Sequence, residues 1–425
     1  MGMNAFVFIY HDMNPGGIQK YIHNYLEVYQ REGFDTFWVA PNHPSIDEGF
    51  QSSIQKTVRL AQDRRCVGEA LSKYDTVITL SFSALDIERM MEYTQDLLNV
   101  KHFFLIPHFK NPEIHLEELF GREKDKKKNI SEVSKLYARY ISNKQLFYIN
   151  PKHGMSLCEH YGIDNAHVPD HVCKKIRSIQ PFDVSSVEHK TTQTESFNII
   201  TVARLEFPHK GYILGLVDSF PEIKKEIPSA KLVIIGYGEG MDELKKHIAN
   251  LSNDLKSDIT CVGKVSYCDL KKYYNEAHVS VSLAGSVTDS VLFGVPALIA
   301  RHYTTKCEGY GFYCDNPDKT LCDEPGEDLV PHLARVYNMD KTDYCELCIK
   351  NYQTFEERAM TDYDPLWMTK VEQPITQYTP DPLIIKLKKQ MKQWTFRYRF
   401  KMLFTKPSVF LGKAISKVRT ILHHD

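Results

Sequence analysis

Arg204 and Lys210 stand at the two ends of a short loop, Thr201-Val-Ala-Arg-Leu-Glu-Phe-Pro-His-Lys-Gly211, and a helical pattern starts directly after it. The run before the loop, Phe197 to Ala203, is apolar and reads as a buried strand. Cations just past a parallel strand, beside a helix start, form a socket for a phosphate ester, because the first amides of a helix and its dipole both favour an anion. Arginine grips two oxygens at once, whereas lysine acts as a point charge. The same two residues would also serve as ordinary surface charges on a strand-to-helix loop.

Other residues with chemical potential lie at comparable places. Gly16 and Gly17 follow the strand Ala5 to Tyr10 and precede a helix from Ile18 to Glu32, where bare backbone would let a ligand approach. A tight turn accounts for that pair equally well. His108 follows the strand Lys101 to Ile106, at the edge where open α/β sheets bind ligands, or else makes a local structural hydrogen bond. Glycines recur at Gly236, Gly238 and Gly240 after the strand Lys231 to Ile235. Gly285-Ser-Val-Thr-Asp289 opens a short helix that Gly294 closes.

The elements that must position these residues alternate throughout. Strands are expected at 5–10, 36–40, 76–80, 101–106 and 146–150, with 41–65 irregular and basic at Arg59, Arg64 and Arg65. A polar segment, 111–130, carries the charged run Arg122 to Lys128 and reads as a solvated loop. After an aperiodic stretch the alternation restarts, with strands at 198–203, 231–235, 259–262, 279–283 and 297–300. Strands separated by helices imply parallel sheets with right-handed crossovers. The expected architecture is therefore α/β, with two doubly wound, Rossmann-like domains facing a cleft. The boundaries are 1–173, a linker at 174–196, a second domain at 197–358, a helix at 359–379 returning toward the first domain, and a tail at 380–425.

Composition narrows the function classes. The 425 residues carry a formal net charge of −1, but residues 381–425 hold 11 Lys/Arg against 2 Asp, leaving 42 basic and 52 acidic residues for the rest. An acidic body without a basic groove argues against nucleic acid. Ten scattered cysteines with one CxxC, Cys345 to Cys348, fit reduced thiols better than zinc. The start lacks a basic n-region and residue 6 is Phe6, so neither a signal peptide nor a myristoylation site is expected. No apolar run approaches a membrane span. No GxGxxG follows the first strand, which weakens a nicotinamide-dependent enzyme.

The tail has its own pattern. Apolar residues at 384, 387, 391, 394, 398 and 402 share one helical face, and Lys386, Lys388, Lys389, Lys392, Arg397, Arg399 and Lys401 lie opposite. With Trp394 on the apolar face, such a helix suits an anionic membrane surface. Packing of the stripe on the protein body is the alternative.

Taken in order, Arg204, Lys210-Gly211, the Gly236-Tyr-Gly-Glu-Gly240 turn and Asp289-Ser-Val-Leu-Phe-Gly294-Val-Pro296 resemble the GT-B glycosyltransferases of the large retaining family 4 (group 1). The turn Gly16-Gly-Ile-Gln-Lys20 is similar to that family's N-terminal glycine loop. The resemblance implies a nucleotide-sugar donor, UDP- or GDP-linked, in the second domain and a glycan or lipid-linked acceptor in the first. It requires no cofactor and no metal. Arg204 and Lys210, with His108, would carry catalysis, the two cations holding the donor diphosphate together with Gly285, Ser286, Val287 and Thr288. Asp289 would bind the ribose and Gly263 to Val265 the base, while Gly16, Gly17 and His108 would face the acceptor or sugar. With the basic tail, the expectation is cell-surface polysaccharide synthesis by a cytoplasmic protein peripheral on the inner face of the plasma membrane; the alternative is a non-catalytic scaffold of the same fold. The chain departs from the family at the first of two motif glutamates: Val279 to Thr288 contains no acid. Glu308 is the nearest candidate substitute. Asp362-Tyr-Asp364, a DxD outside any sheet loop, reads as coincidence.

Overall fold

The computed structural model describes residues 2–14, 16–108, 126–174, 183, 185–188, 190–360, 363–375 and 377–389. Residues Arg122 to Asp125 of the charged run, Asp362, and the tail residues Lys392, Trp394, Arg397, Arg399 and Lys401 lie outside them.

The first domain is built on strands β1 (Asn4–Ile9), β2 (Asp35–Ala40), β3 (Thr57–Ala61), β4 (Thr76–Ser81), β5 (Val100–Ile106) and β6 (Leu146–Tyr148), in the order β3-β2-β1-β4-β5-β6. Every pairing is parallel. β1 is apolar almost throughout because both its faces are covered. Phe6 and Phe8 enter one core cluster, while Ala5, Val7 and Ile9 enter another on the opposite face. The helix Gly17–Arg31 covers the first of these, stacking Tyr25 and Tyr29 on Phe6 with ring centroids 5.9 and 4.4 Å away.

The second domain contains β7 (Phe197–Val202), β8 (Ala230–Ile235), β9 (Ile259–Gly263), β10 (Val279–Ser282), β11 (Ala297–Ala300), β12 (Glu308–Phe312) and β13 (Glu327–Asp328), in the order β13-β12-β11-β10-β7-β8-β9. β7 to β11 are parallel, and β12 and β13 extend the sheet antiparallel, with β13 at the edge. In each sheet the chain runs outward to one side of its first strand and then crosses to the other. The switch points therefore lie beside β1/β4 and β7/β10, and ligand clefts open at such points.

Two expectations need correction. The stretch 41–65 is not irregular, since it contains the helix Gln51–Gln55 and the edge strand β3. β3 escapes pattern reading because its solvent side leaves Val58 and Arg59 exposed. Residues 359–379 do not form a returning helix. The long helix Lys341–Met360 ends there, and only Trp367–Lys370 is helical in the described remainder. Pro365, Pro374 and Pro380 account for that, since proline cannot donate to a helical ladder.

This extended segment nevertheless crosses to the first domain and is strapped down along its length. Trp367 is buried edge-on against Phe103 and Phe147 and donates to the Tyr25 hydroxyl at 3.2 Å. Gln373 accepts from the His102 amide at 2.9 Å and donates to the His102 carbonyl at 2.8 Å. Tyr378 donates to the fully buried Glu88, which Arg139 and Tyr140 also engage. In the following helix, 382–389, Leu383, Ile384 and Leu387 sit in the first domain's core, Lys388 pairs with Glu92 at 2.6 Å and Lys386 with Glu132 at 3.8 Å. The described start of the apolar stripe thus packs on the protein body.

Candidate functional site

The loop after β7 is held from below by the glycine turn after β8. Leu205, fully buried, anchors it in the core. The Ala203 amide donates to the Ile235 carbonyl (3.0 Å), the Leu205 amide to Tyr237 (2.8 Å), and Gly240 returns a bond to Leu205 (2.9 Å). Gly238 has φ +143°, and a Cβ there would lie 2.5 Å from the Leu205 carbonyl oxygen. Only glycine permits this approach. The glycine turn therefore shapes the cation loop.

Arg204 and Lys210 share one acid that the sequence reading missed. Glu206 pairs with Arg204 at 3.0 Å and lies 3.7 Å from His209. His209 contributes most to holding the Glu206 carboxyl down at about 2, with Arg204 and Lys210 adding to it against partial burial. Burial pushes the Lys210 ammonium down to about 8, and Arg204 adds to the shift while Glu206 opposes it. Across the cleft, Arg204 reaches the first domain's glycine loop: a Cβ on Gly16 would lie 3.1 Å from its guanidinium. Gly17 has open space beside it. The turn and the close approach thus divide between two adjacent glycines.

The helix Gly285–Leu292 starts beside this loop, because β10 is the direct neighbour of β7. No side chain caps it; the Val287 amide donates to the Ala284 carbonyl at 3.2 Å, and a helix start of this kind favours an anion. The residue before it, Ala284, is held at φ 56°, ψ −125°, a conformation that non-glycine residues adopt under strain. Ser286 bonds the Leu283 carbonyl at 2.9 Å and Thr288 the Gly285 carbonyl at 2.9 Å, while Val287 is buried in the core. Asp289, also buried, is engaged across the cleft by Lys20 and lies 3.4 Å from the Tyr267 hydroxyl. Lys20 itself lies over the Tyr267 ring, 5.0 Å from its centroid. Its signal was its spacing: four residues after Gly16, in the first turn of the helix that the glycine loop starts.

Gly263 ends β9 at φ +84°, and Val265 packs with Val262 and Tyr267 on the cluster around Tyr274 and Val295. Between them Lys264 approaches Asp47 at 3.8 Å, and Phe50 stacks on Tyr267 at 6.1 Å, so the lobes touch along this flank as well. His108 lies on the other flank, beside His153, His209 and His302. His153 donates through Nδ1 to the Pro107 carbonyl at 3.1 Å, and burial lowers its pKa.

Some candidates fall elsewhere. Glu308 lies on β12, tied to Arg301 at 2.8 Å and Lys306 at 3.3 Å. Asp364 pairs with Lys370 at 2.7 Å. Among the described residues no group of three or more His, Cys, Asp or Glu is arranged to hold a metal ion, and no helix is long and apolar enough to cross a membrane.

The site can therefore receive a diphosphate between two cations and a helix start at the β7/β10 switch point. The sequence from 186 to 305, which contains all of these second-domain groups, matches the family described as glycosyl transferases group 1. HepE from Anabaena, solved in complex with UDP and glucose, shares the fold with a TM-score of 0.55 at 12% identity, over 86% of this chain and 97% of that one. A glycosyltransferase from Rickettsia africae gives 0.54 at 13%, over 92% and 99%. Against a mutant of TarM from Staphylococcus aureus the TM-score is 0.45 at 13% identity, and the match takes in 72% of this chain but only 57% of the other's length. No curated protein matches the sequence. The architecture over the described residues is that of the GT-B fold, and within it residues 186–305 match the glycosyl transferases group 1 family.

Proposed function

We propose that the protein transfers a sugar from a UDP- or GDP-linked donor to a glycan or lipid-linked acceptor in cell-surface polysaccharide synthesis. This reading is supported by the placement of Arg204 and Lys210 past β7, the direct neighbour of β10, whose following helix start no side chain caps. As the bond between the anomeric carbon and the phosphate oxygen breaks, negative charge grows on the departing diphosphate. Arg204, Lys210 and the amides of 285–288 stabilise that charge without a metal, and the configuration is retained. Asp289 turns from Lys20 to the ribose hydroxyls, with the base over Gly263 to Val265. Gly16, Gly17 and His108 face the sugar and the acceptor.

Turnover of UDP- and GDP-sugars, read as nucleotide release, tests this directly. Arg204→Ala should lower it by about 100-fold or more. Absence of turnover with every common donor sinks the proposal. A non-catalytic subunit of the same fold is the second reading, favoured by the absence of an acid from Val279 to Thr288. Nucleotide binding that Arg204→Ala abolishes counts against it.

The basic tail is proposed to bring the enzyme to the inner face of the plasma membrane. Because Leu383, Ile384 and Leu387 belong to the first domain's core, the truncation must start after them. Deleting residues 390–425 should release the protein from anionic vesicles in a sedimentation assay and leave donor hydrolysis intact. Equal sedimentation with and without the tail rejects the membrane role.

A further inference from the structure

Four histidine rings meet between the lobes on the flank of the cation loop. His108, past β5, and His153, in the first turn of the helix Pro151–Tyr161, come from the first domain. His209, next to Lys210, and His302, past β11, come from the second. Ring centroids lie 4.4 Å apart for His108 and His153, 5.6 Å for His108 and His302, 6.4 Å for His108 and His209, and 4.3 Å for His209 and His302.

The second domain goes to some length to present its pair. Tyr303, directly after His302, is held at φ 57°, which a bulky residue adopts only under strain. Its amide donates to the His209 carbonyl at 3.3 Å, and the His302 amide donates to the Cys322 carbonyl at 2.8 Å, so the two loops are tied together. The carboxylate beside this group, Glu206, lies 3.7 Å from His209 Nδ1 and pairs with Arg204 at 3.0 Å, which leaves the other ring nitrogen of His209 for a ligand.

These positions decide what the group can recognise. Lys210 would hold the diphosphate, and the sugar bonded to that diphosphate then lies beside the neighbouring His209. Family resemblance would put a glutamate in the second domain near that sugar, but Val279 to Thr288 contains none. The imidazoles of this group offer N–H donors to an anion. Hydrogen bonds to an ionised carboxylate are charge-assisted. Among the described residues these rings are not arranged to hold a metal ion.

We infer that the four histidines bind the carboxylate of a hexuronic acid, so that the donor is a nucleotide-hexuronate rather than a neutral nucleotide-hexose. The inference rests on the transferase reading above.

Titration calorimetry on the full chain separates the two. UDP and GDP alone are titrated first; if neither binds, the transferase reading fails and the inference falls with it. With the base that binds, the uronate and neutral conjugates are compared: UDP-glucuronate with UDP-glucose, or GDP-mannuronate with GDP-mannose. The expected result is a preference for the uronate of roughly tenfold or more, the size of a charge-assisted contact. His108→Gln and His209→Gln, each normalised to its own affinity for the bare nucleotide, should reduce that ratio to within about threefold. Nucleotide binding without a uronate preference overturns the inference and leaves the transferase reading standing. A preference that survives both substitutions overturns the assignment to these rings.

Discussion

At the scale of single residues, the cation pair is balanced by one acid. Glu206 sits between Arg204, His209 and Lys210 and stays ionised throughout the physiological range, since its carboxyl titrates at about 2. Lys210 differs: burial places its pKa at about 8. Below that pH the ammonium is charged and attracts a diphosphate; above it the free protein loses the charge. A bound anion favours the charged form and raises the pKa, so binding must take up a proton once the pH exceeds about 8. Nucleotide affinity should therefore fall by up to about tenfold per pH unit above 8, and Lys210→Ala should flatten the profile. Calorimetry between pH 7 and 9.5 measures both. Residue types alone marked Arg204 and Lys210 as candidates, although ordinary surface charges on a strand-to-helix loop fit the same two residues. Glu206 was in plain view in the same loop, but nothing in its spacing showed that its carboxylate turns back onto its neighbours.

At the scale of elements, the site depends on backbone that side chains would obstruct. The turn after β8 presses against the loop after β7, with Gly238 at φ +143°. Gly238→Ala should destabilise the protein by about 1–3 kcal/mol and weaken nucleotide binding without removing any group that touches the ligand. Gly285→Ala, with open space around the position, should leave stability within about 0.5 kcal/mol. Urea denaturation of the two variants gives the comparison. Elements buried on both faces, such as β1 and β7, were legible as unbroken apolar runs. β12 and the edge strands β3 and β13 were not. β3 and β13 are largely exposed and β12 carries two glycines, so their pairing is fixed by the neighbour they join rather than by an apolar run of their own.

At the scale of the whole molecule, two kinds of contact hold the lobes in register. Lys20 reaches Asp289 and Lys264 reaches Asp47 across the cleft. Behind it, the strap from residue 363 onward returns to the first domain and buries Trp367 beside Phe103 and Phe147. Trp367→Ala removes a large buried ring and should cost about 3–5 kcal/mol in urea denaturation. Since that ring belongs to the first domain's core while its chain comes from the second, the unfolding transitions of the two domains should also separate. The tail was read as one amphipathic helix, of which residues 382–389 are described and helical. Sequence could not tell that the first turns of that stripe meet protein, because an apolar stripe looks the same against a core or a bilayer.

What the amino-acid order settled by itself was local: which runs are buried strands, where helices begin, and which cations and glycines sit at the strand ends. These follow from periodicity and from residue types that few conformations accept. Only the tertiary structure decided which of those ends face one another. Lys20 on Asp289, Arg204 against Gly16, and four histidines from two domains in one cluster are separated by tens to hundreds of residues in sequence. Their meeting depends on strand order and on the closure of two lobes, which no local pattern encodes.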